Sequence, residues 1–252
     1  MLESKLSESF ERKKDAINRQ LNYHRGRREV RKTGFWFVDI PRTSSSSIRA
    51  QLGERFGIGH GKLNIPEKDK ATEQIFEDHL TAVEMRDILG VELWEKIFTF
   101  TVVRNPWERI LSLYMYMRKN TSAVDDLTFE QFVKRIHQER MSPGSTIFTY
   151  RPLTRTCLEF ISDENGKIIV DKIVRFENRQ DELPEIGQQI GCPELGSLKI
   201  NSARPQKSRY QDSYTDELRD LVAEIYAQDI DYFDYSFDEP TDNQDSSSAD
   251  SG

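Results

Sequence analysis

The sequence predicts an α/β fold, with a largely parallel sheet and helices on both of its faces. Three observations predict it. Two strand–turn–helix units stand at residues 35–56 and 98–117, and a third short apolar run follows at 167–174. Helical patterns lie between these runs, and strands alternating with amphipathic helices pack as a covered, mostly parallel sheet. A chain of 252 residues, 36% hydrophobic and 31% charged, is enough for one core of this kind beneath a heavily charged surface.

The N-terminal residues 2–28 are polar, with a thin apolar stripe of Leu6, Phe10, Ile17 and Leu21. They read as a helix packed lightly on the domain. Residues 11–32 hold nine Lys or Arg against three acids, the pattern of a solvated basic face or of a surface that attracts an anionic substrate. Phe35 to Ile40 is aromatic and β-branched around a single acid, which suits a buried strand. Pro41 ends it, because proline cannot donate to a ladder. Ser44 to Ser47 follow, and Ile48, Leu52 and Phe56 recur as one face of a helix. Small hydroxyl residues between a strand and a helix admit two readings here: a phosphate cradle of backbone N–H groups beside the charge of Arg42, or a serine-rich N-cap.

A glycine loop, Gly57-Ile58-Gly59-His60-Gly61, runs on through Pro66. Loops of this length inside a compact domain are often functional. Thr81 and Glu84 form a capping box for a helix with Val83, Ile88 and Leu89, ending at Gly90. Phe98 to Val103 is the second strand, with Arg104 at its carboxyl end. Asn105 as N-cap and Pro106 as first helical residue start a helix whose apolar face is Trp107, Ile110, Leu111, Tyr114 and Met117. Thr128 and Gln131 offer another capping box, for a helix with Phe129, Phe132, Val133 and Ile136.

Residues 141–156 contain Pro143, Gly144 and Pro152 and read as irregular. Leu158–Ile161 and Lys167–Val170 flank Asn165-Gly166, a hairpin signal, and Ile173 and Val174 extend the apolar run toward Arg175. A short helix and a loop occupy Pro184 to Gly196. Lys199 to Tyr210 is basic and without periodicity. Thr215 caps a last helix with Leu218, Leu221, Val222, Ile225 and Tyr226 on one face, and Tyr232 to Phe237 is an aromatic anchor. Residues 238–252 hold five acids and no base and read as a disordered tail. The expected organisation is a basic helical arm at 1–33, one domain at 34–237 and an acidic tail at 238–252.

Formal net charge is −7, which argues against a general nucleic-acid binder. Cys157 and Cys192 make neither a disulfide framework nor a metal quartet. No apolar run approaches the roughly 20 residues of a membrane helix, and the first residues have no apolar segment of signal-peptide type. A soluble, cytoplasmic protein without an integral membrane segment is the expectation.

In open α/β sheets ligands sit beyond the carboxyl ends of the strands. Both polar turns, 41–47 and 104–105, lie at such ends, so the sequence suggests a ligand with two separated phosphates. The first turn lacks the glycines and the Lys-Ser or Lys-Thr ending of a Walker motif, which disfavours an ATP or GTP enzyme. No dinucleotide fingerprint, nucleophile elbow or zincin motif is present.

Ile40-Pro41-Arg42-Thr43-Ser44-Ser45-Ser46-Ser47-Ile48 resembles the phosphosulfate loop of sulfotransferases, often Pro-Lys-Thr-Gly-x-Thr/Ser-Ser. Val103-Arg104-Asn105-Pro106-Trp107-Glu108-Arg109-Ile110-Leu111-Ser112-Leu113-Tyr114 resembles their 3′-phosphate motif. The resemblance runs from about Gly34 to Phe237, and the carbohydrate-type enzymes look most similar. They share a histidine before a capped helix (here His79 to Glu84), an Asn-Ser loop (Asn201-Ser202) and an aromatic close (Asp229 to Tyr235).

The resemblance implies a P-loop-like α/β fold and the donor 3′-phosphoadenosine 5′-phosphosulfate, with an acceptor hydroxyl on a carbohydrate or glycolipid. It implies that the amides of Thr43 to Ser47, including those of Ser44 and Ser45, hold the 5′-phosphate together with the Ser46 and Ser47 hydroxyls. Arg104 and Ser112 would hold the 3′-phosphate. Arg42, where the family usually has Lys, would meet the charge on the leaving phosphate. Ser44 and Ser45 stand where relatives often have Gly. His79 would be the base that takes the acceptor's proton, with His60 as runner-up and Glu77 or Asp78 able to orient His79 or act in its place. Arg175, Arg204, Lys207 and Arg209 are further candidates to meet donor or acceptor. The mechanism requires no metal. The competing readings are a non-catalytic module binding a nucleotide or an anionic glycan, and a divergent P-loop kinase.

Overall fold

The computed structural model describes residues 27–56, 79–141, 154–197 and 209–238. Three strands, β1 (Phe35–Val38), β2 (Phe98–Val103) and β3 (Lys172–Arg175), form a parallel sheet in the order β1-β2-β3. Phe37 stands beside Phe100 and Val102 beside Val174. Side chains alternate across a strand, so the sheet feeds two cores. Phe35, Phe37, Phe100, Val102 and Val174 fill one, and Trp36, Val38 and Val103 join the other.

Helices cover both faces. The first face is closed by α1 (Ser45–Phe56) through Ile48 and Leu52, and by α7 (Arg179–Ile190) through Leu183 and Ile186. The second packs against α2 (Ala82–Leu89), α3 (Val91–Trp94), α4 (Pro106–Asn120), α5 (Phe129–Met141), α6 (Cys157–Ile161), α8 (Asp216–Ile225) and α9 (Ala227–Phe233). The larger core thus lies on the side away from α1. No helix among the described residues is long and apolar enough to cross a membrane.

The caps read from the sequence form. Thr81 and Glu84 exchange both bonds of a capping box, and so do Thr128 and Gln131. Asn105 accepts from the Trp107 amide, with Pro106 as first helical residue. Thr215 accepts from the Leu218 amide.

Three elements differ from expectation. β1 stops at Val38, and Asp39 and Ile40 are buried without being strand. Residues 158–161 are not a hairpin arm but helix α6, started by a second Thr-x-x-Glu capping box at Thr156 and Glu159. The Asn165-Gly166 turn persists, with Gly166 at φ 78°, but it closes on a single antiparallel bridge, Ser162 to Ile168. Helix α7 starts at Arg179, not Pro184; Pro184 lies inside it. The basic arm before residue 27, the glycine loop, the segment 142–153, the Asn201-Ser202 loop and the tail from 239 lie outside the described residues.

Candidate active site

The first turn carries backbone that few residues adopt. Arg42 has φ 68° and Ser44 φ 71°. Left-handed backbone costs a non-glycine residue about 1 to 2 kcal/mol. It persists here because the turn is clamped from behind: Thr43 Oγ1 donates to the Ile40 carbonyl at 2.9 Å, and Arg109 Nε donates to the Pro41 carbonyl at 3.1 Å. The Ser44 carbonyl accepts from the Ser47 and Ile48 amides and starts α1. Among the described residues no acceptor meets the amides of Thr43, Ser44, Ser45 or Ser46. The turn is therefore a helix cap that leaves donors over, and such donors at a helix N-terminus suit an anion. Thr43, Ser45 and Ser47 are buried, while Ser44 and Ser46 are half-buried.

The two turns meet through Arg42. Its Nε and Nη2 both lie 3.2 Å from Ser112 Oγ on α4, and its guanidinium stacks on Tyr116, one helical turn further, at 4.4 Å. Arg104 Nη1 donates to the Arg42 carbonyl at 3.0 Å. So Arg42, Arg104 and Ser112, from two turns and a helix, share one place at the carboxyl ends of β1 and β2. Glu108 balances Arg104 at 2.9 Å, and the Phe176 ring lies under its guanidinium at 3.9 Å. Arg42 forms no ion pair with a carboxylate among the described residues. Burial and the neighbouring Arg104 bring it down to about 10, so it stays cationic at neutral pH. Arg104 Nε is buried without a partner among the described residues. A cation without a counter-ion and an orphaned guanidinium donor fit an incoming phosphate.

Asn105 offers little to a ligand. Its amide donates to Glu177 at 2.9 Å, its Nδ2 to the Ser236 carbonyl at 2.8 Å, and its Oδ1 accepts from Trp107. Arg109, fixed within the same stretch, is 4% exposed and also donates to the Arg155 carbonyl at 2.8 Å. It props the turn from inside.

His79 stands just before α2, over the end of β1. Its Nδ1 is 3.1 Å from the Asp39 carbonyl oxygen and 3.4 Å from Asp39 Oδ2. Arg49 Nη1, on α1, lies 2.8 Å from the same carboxylate oxygen. Burial alone would raise the Asp39 carboxyl, but His79, Arg49 and the Ser45 hydroxyl together hold it below the usual carboxylate range.

The sequence reading placed Asp39 only as the acid within a strand and missed its contact with His79. A lone acid in an apolar strand was the available signal, because a buried carboxylate needs a charged partner. Tyr116 and Phe176, which flank the two guanidiniums, were missed as well. Glu77, Asp78, His60, Arg204 and Lys207 lie outside the described residues. Arg209 is exposed. Arg175 stacks on Tyr235 at 4.4 Å and approaches Glu177 at 3.9 Å. Among the described residues no group of three or more His, Cys, Asp or Glu could hold a metal ion. Cys157 is buried, and burial with the nearby Asp229 carboxylate pushes its thiol up to about 12, so it is not a nucleophile.

An uncharacterized protein of Archaeoglobus fulgidus is 29% identical to this chain over 127 residues, covering 50% of the chain and 93% of that relative. No solved structure matches. The sulfotransferase family model matches residues 30–236, from the residues before β1 to the aromatic close, and takes in both turns, His79 and Ser112. The chain therefore belongs to the sulfotransferase family, enzymes that transfer sulfate.

Proposed function

We propose that this chain moves a sulfuryl group from 3′-phosphoadenosine 5′-phosphosulfate to an acceptor hydroxyl, on a carbohydrate or glycolipid. The observation that carries the reading is Arg42: a half-buried cation without a carboxylate among the described residues, seated between an amide-rich turn and the Arg104–Ser112 pair. Two anion-receiving groups that share a cation suit a donor with two phosphates. The carbohydrate acceptor rests on the resemblance of the histidine, the Asn-Ser loop and the aromatic close.

In this reading the strand–turn–helix of β1 and α1 is a P-loop-like cradle for the 5′-phosphate, using the amides of Thr43 to Ser46. Arg104 and Ser112 hold the 3′-phosphate. Bound there, the donor supplies the sulfuryl group and a phosphate leaving group. His79 accepts the proton of the acceptor hydroxyl as its oxygen bonds sulfur. Arg42 faces the negative charge gathering on the leaving phosphate oxygen; at about 10 it acts as a fixed charge, not as an acid.

His79→Ala with the nucleotide product as ligand tests this. The variant is expected to lose about 10²- to 10⁴-fold in transfer while still binding 3′,5′-bisphosphoadenosine. Unchanged turnover removes His79 as base. Absence of transfer in the wild-type chain across a panel of sugars and small alcohols, with binding intact, favours a non-catalytic binding module. Arg104→Ala is expected to weaken 3′,5′-bisphosphoadenosine about ten- to a hundredfold and 5′-AMP far less. Equal loss for both ligands removes the 3′-phosphate assignment.

A further inference from the structure

His79 has two ring nitrogens, and only the unprotonated one can take a proton. The oxygens around Nδ1 decide which one that is. The Asp39 carbonyl oxygen lies at 3.1 Å and the Asp39 carboxylate at 3.4 Å. A carbonyl oxygen and an ionised carboxylate can only accept. An unprotonated Nδ1 would set its lone pair against both. The neutral ring therefore keeps its proton on Nδ1 and leaves Nε2 as the acceptor.

The carboxylate is 2% exposed, and a carboxylate so buried ionises only with a cation beside it. Arg49 supplies that cation at 2.8 Å from helix α1. Ser45, buried on the first turn of the same helix, helps to hold the carboxyl below its usual range. The chain runs from Asp39 through Pro41 directly into the left-handed turn at Arg42. The histidine and the anion-binding turn are thus held by the same few residues.

We propose that Asp39, backed by Arg49, is a positioning residue for His79: it fixes the Nδ1–H form and leaves Nε2 to take the acceptor's proton. This rests on the reading of His79 as the base. The proton passes from the acceptor oxygen to Nε2, the oxygen lone pair forms the new bond to sulfur, and the bond from sulfur to the leaving phosphate oxygen breaks with its electrons. Asp39 remains ionised and balances the imidazolium that results.

Two measurements test it. In the wild-type chain, long-range proton–nitrogen NMR is expected to show His79 as the Nδ1–H tautomer at a pH where the ring is neutral; an Nε2–H tautomer overturns the proposal whatever the variants do. The second is a double-mutant cycle of Asp39→Asn and His79→Ala, measured as transfer from 3′-phosphoadenosine 5′-phosphosulfate to a panel of neutral sugars and small alcohols. Asp39→Asn is expected to lower kcat about 10- to 10³-fold and to change 3′,5′-bisphosphoadenosine affinity less than twofold. In the His79→Ala background the same change is expected to cost nothing further. Full turnover of Asp39→Asn, or an equal loss in both backgrounds, overturns the positioning role while leaving the base in place. Full turnover of His79→Ala alone removes the base, and the proposal with it.

Discussion

At the end of β1 the chain enters its helix through Arg42 and Ser44, both at positive φ. At the end of β2 it enters through Asn105 and Pro106, with neither residue left-handed. The sequence presents these as two equivalent polar turns at two strand ends. They divide the work instead. The first spends conformational strain and leaves backbone donors over; the second pairs the amides of Asn105, Trp107 and Arg109 and contributes side chains, Arg104 from before the helix and Ser112 from within it. Backbone amides bind an anion wherever the chain curls around it, whereas a side-chain site needs a rigid helix to set the spacing. The Asn-Pro start provides that rigidity, and Glu177 and Ser236 lock it.

A carboxylate backs each turn, Asp39 buried and Glu177 half-buried, and the two are shifted in opposite directions. Asp39 is held down by His79 and Arg49 against its burial. Glu177 is pushed up by burial, which the Asn105 amide and Arg104 only partly offset. At neutral pH Asp39→Asn is expected to cost about 3 to 5 kcal/mol, because it leaves the Arg49 cation without its counter-charge. An acid whose native pKa is depressed adds stability above its unfolded value, near 3.8, and loses it as pH falls through the native value. The deficit should therefore shrink below about pH 4. Glu177→Gln should go the other way. Its native pKa lies above 4.5, so the wild-type group loses stability as pH rises past that point, and the neutral variant should be the more stable at pH 7. Urea midpoints for both variants at pH 7 and pH 3.5 decide the matter; shifts of the same sign at pH 7 would break the contrast.

The second turn tests separately. Asn105→Ala removes the cap on the Trp107 amide and the bond to the Ser236 carbonyl. Losing a cap costs about 1 kcal/mol, and the lost bond to the carbonyl of Ser236, an exposed residue, adds about 0.5 to 1.5. The expected loss is roughly 1.5 to 2.5 kcal/mol in thermal or urea unfolding. Affinity for 3′,5′-bisphosphoadenosine should fall only as far as the start of α4 shifts. Loss of binding without loss of stability would mean that Asn105 itself touches the ligand.

The two turns also differ in how far they were legible. Asn105-Pro106 and the apolar stripe of α4 are local signals, and both appear where the sequence puts them. The three strands were legible as short apolar runs, but the end of β1 was misplaced, and so was the start of β3, which begins at Lys172 and not at the expected hairpin arm Lys167–Val170. Helix α6 was misread because five residues carry no period, and the Asn-Gly pair after it spoke more strongly than Thr156 and Glu159 before it. Its first amides are held by Asp229, 72 and 71 residues away, and nothing local announces that bond. The site divides in the same way. Residue types at the two turns suggested anion binding, but Arg42 meets Ser112 across 70 residues and His79 meets Asp39 across 40. Tertiary contacts of that span depend on sheet order, which no single segment encodes.

Ser44 is the smallest test of the contrast. At φ 71° it occupies backbone that glycine reaches freely and other residues reach at a cost. Ser44→Gly relieves about 1 kcal/mol of that cost or somewhat more, but it also loosens the unfolded chain by about 0.4 to 1 kcal/mol. The balance is a gain of about 0.5 kcal/mol, or about 1 to 2 °C in Tm for a chain of this size. The amides of Thr43 to Ser46 keep their places, so binding of 3′,5′-bisphosphoadenosine should stay within about twofold. A fall in Tm would mean that the Ser44 hydroxyl, not the shape of its backbone, holds the turn. The turn would then owe its open amides to side-chain bonds, as the start of α4 does, and the division between the two strand ends would collapse.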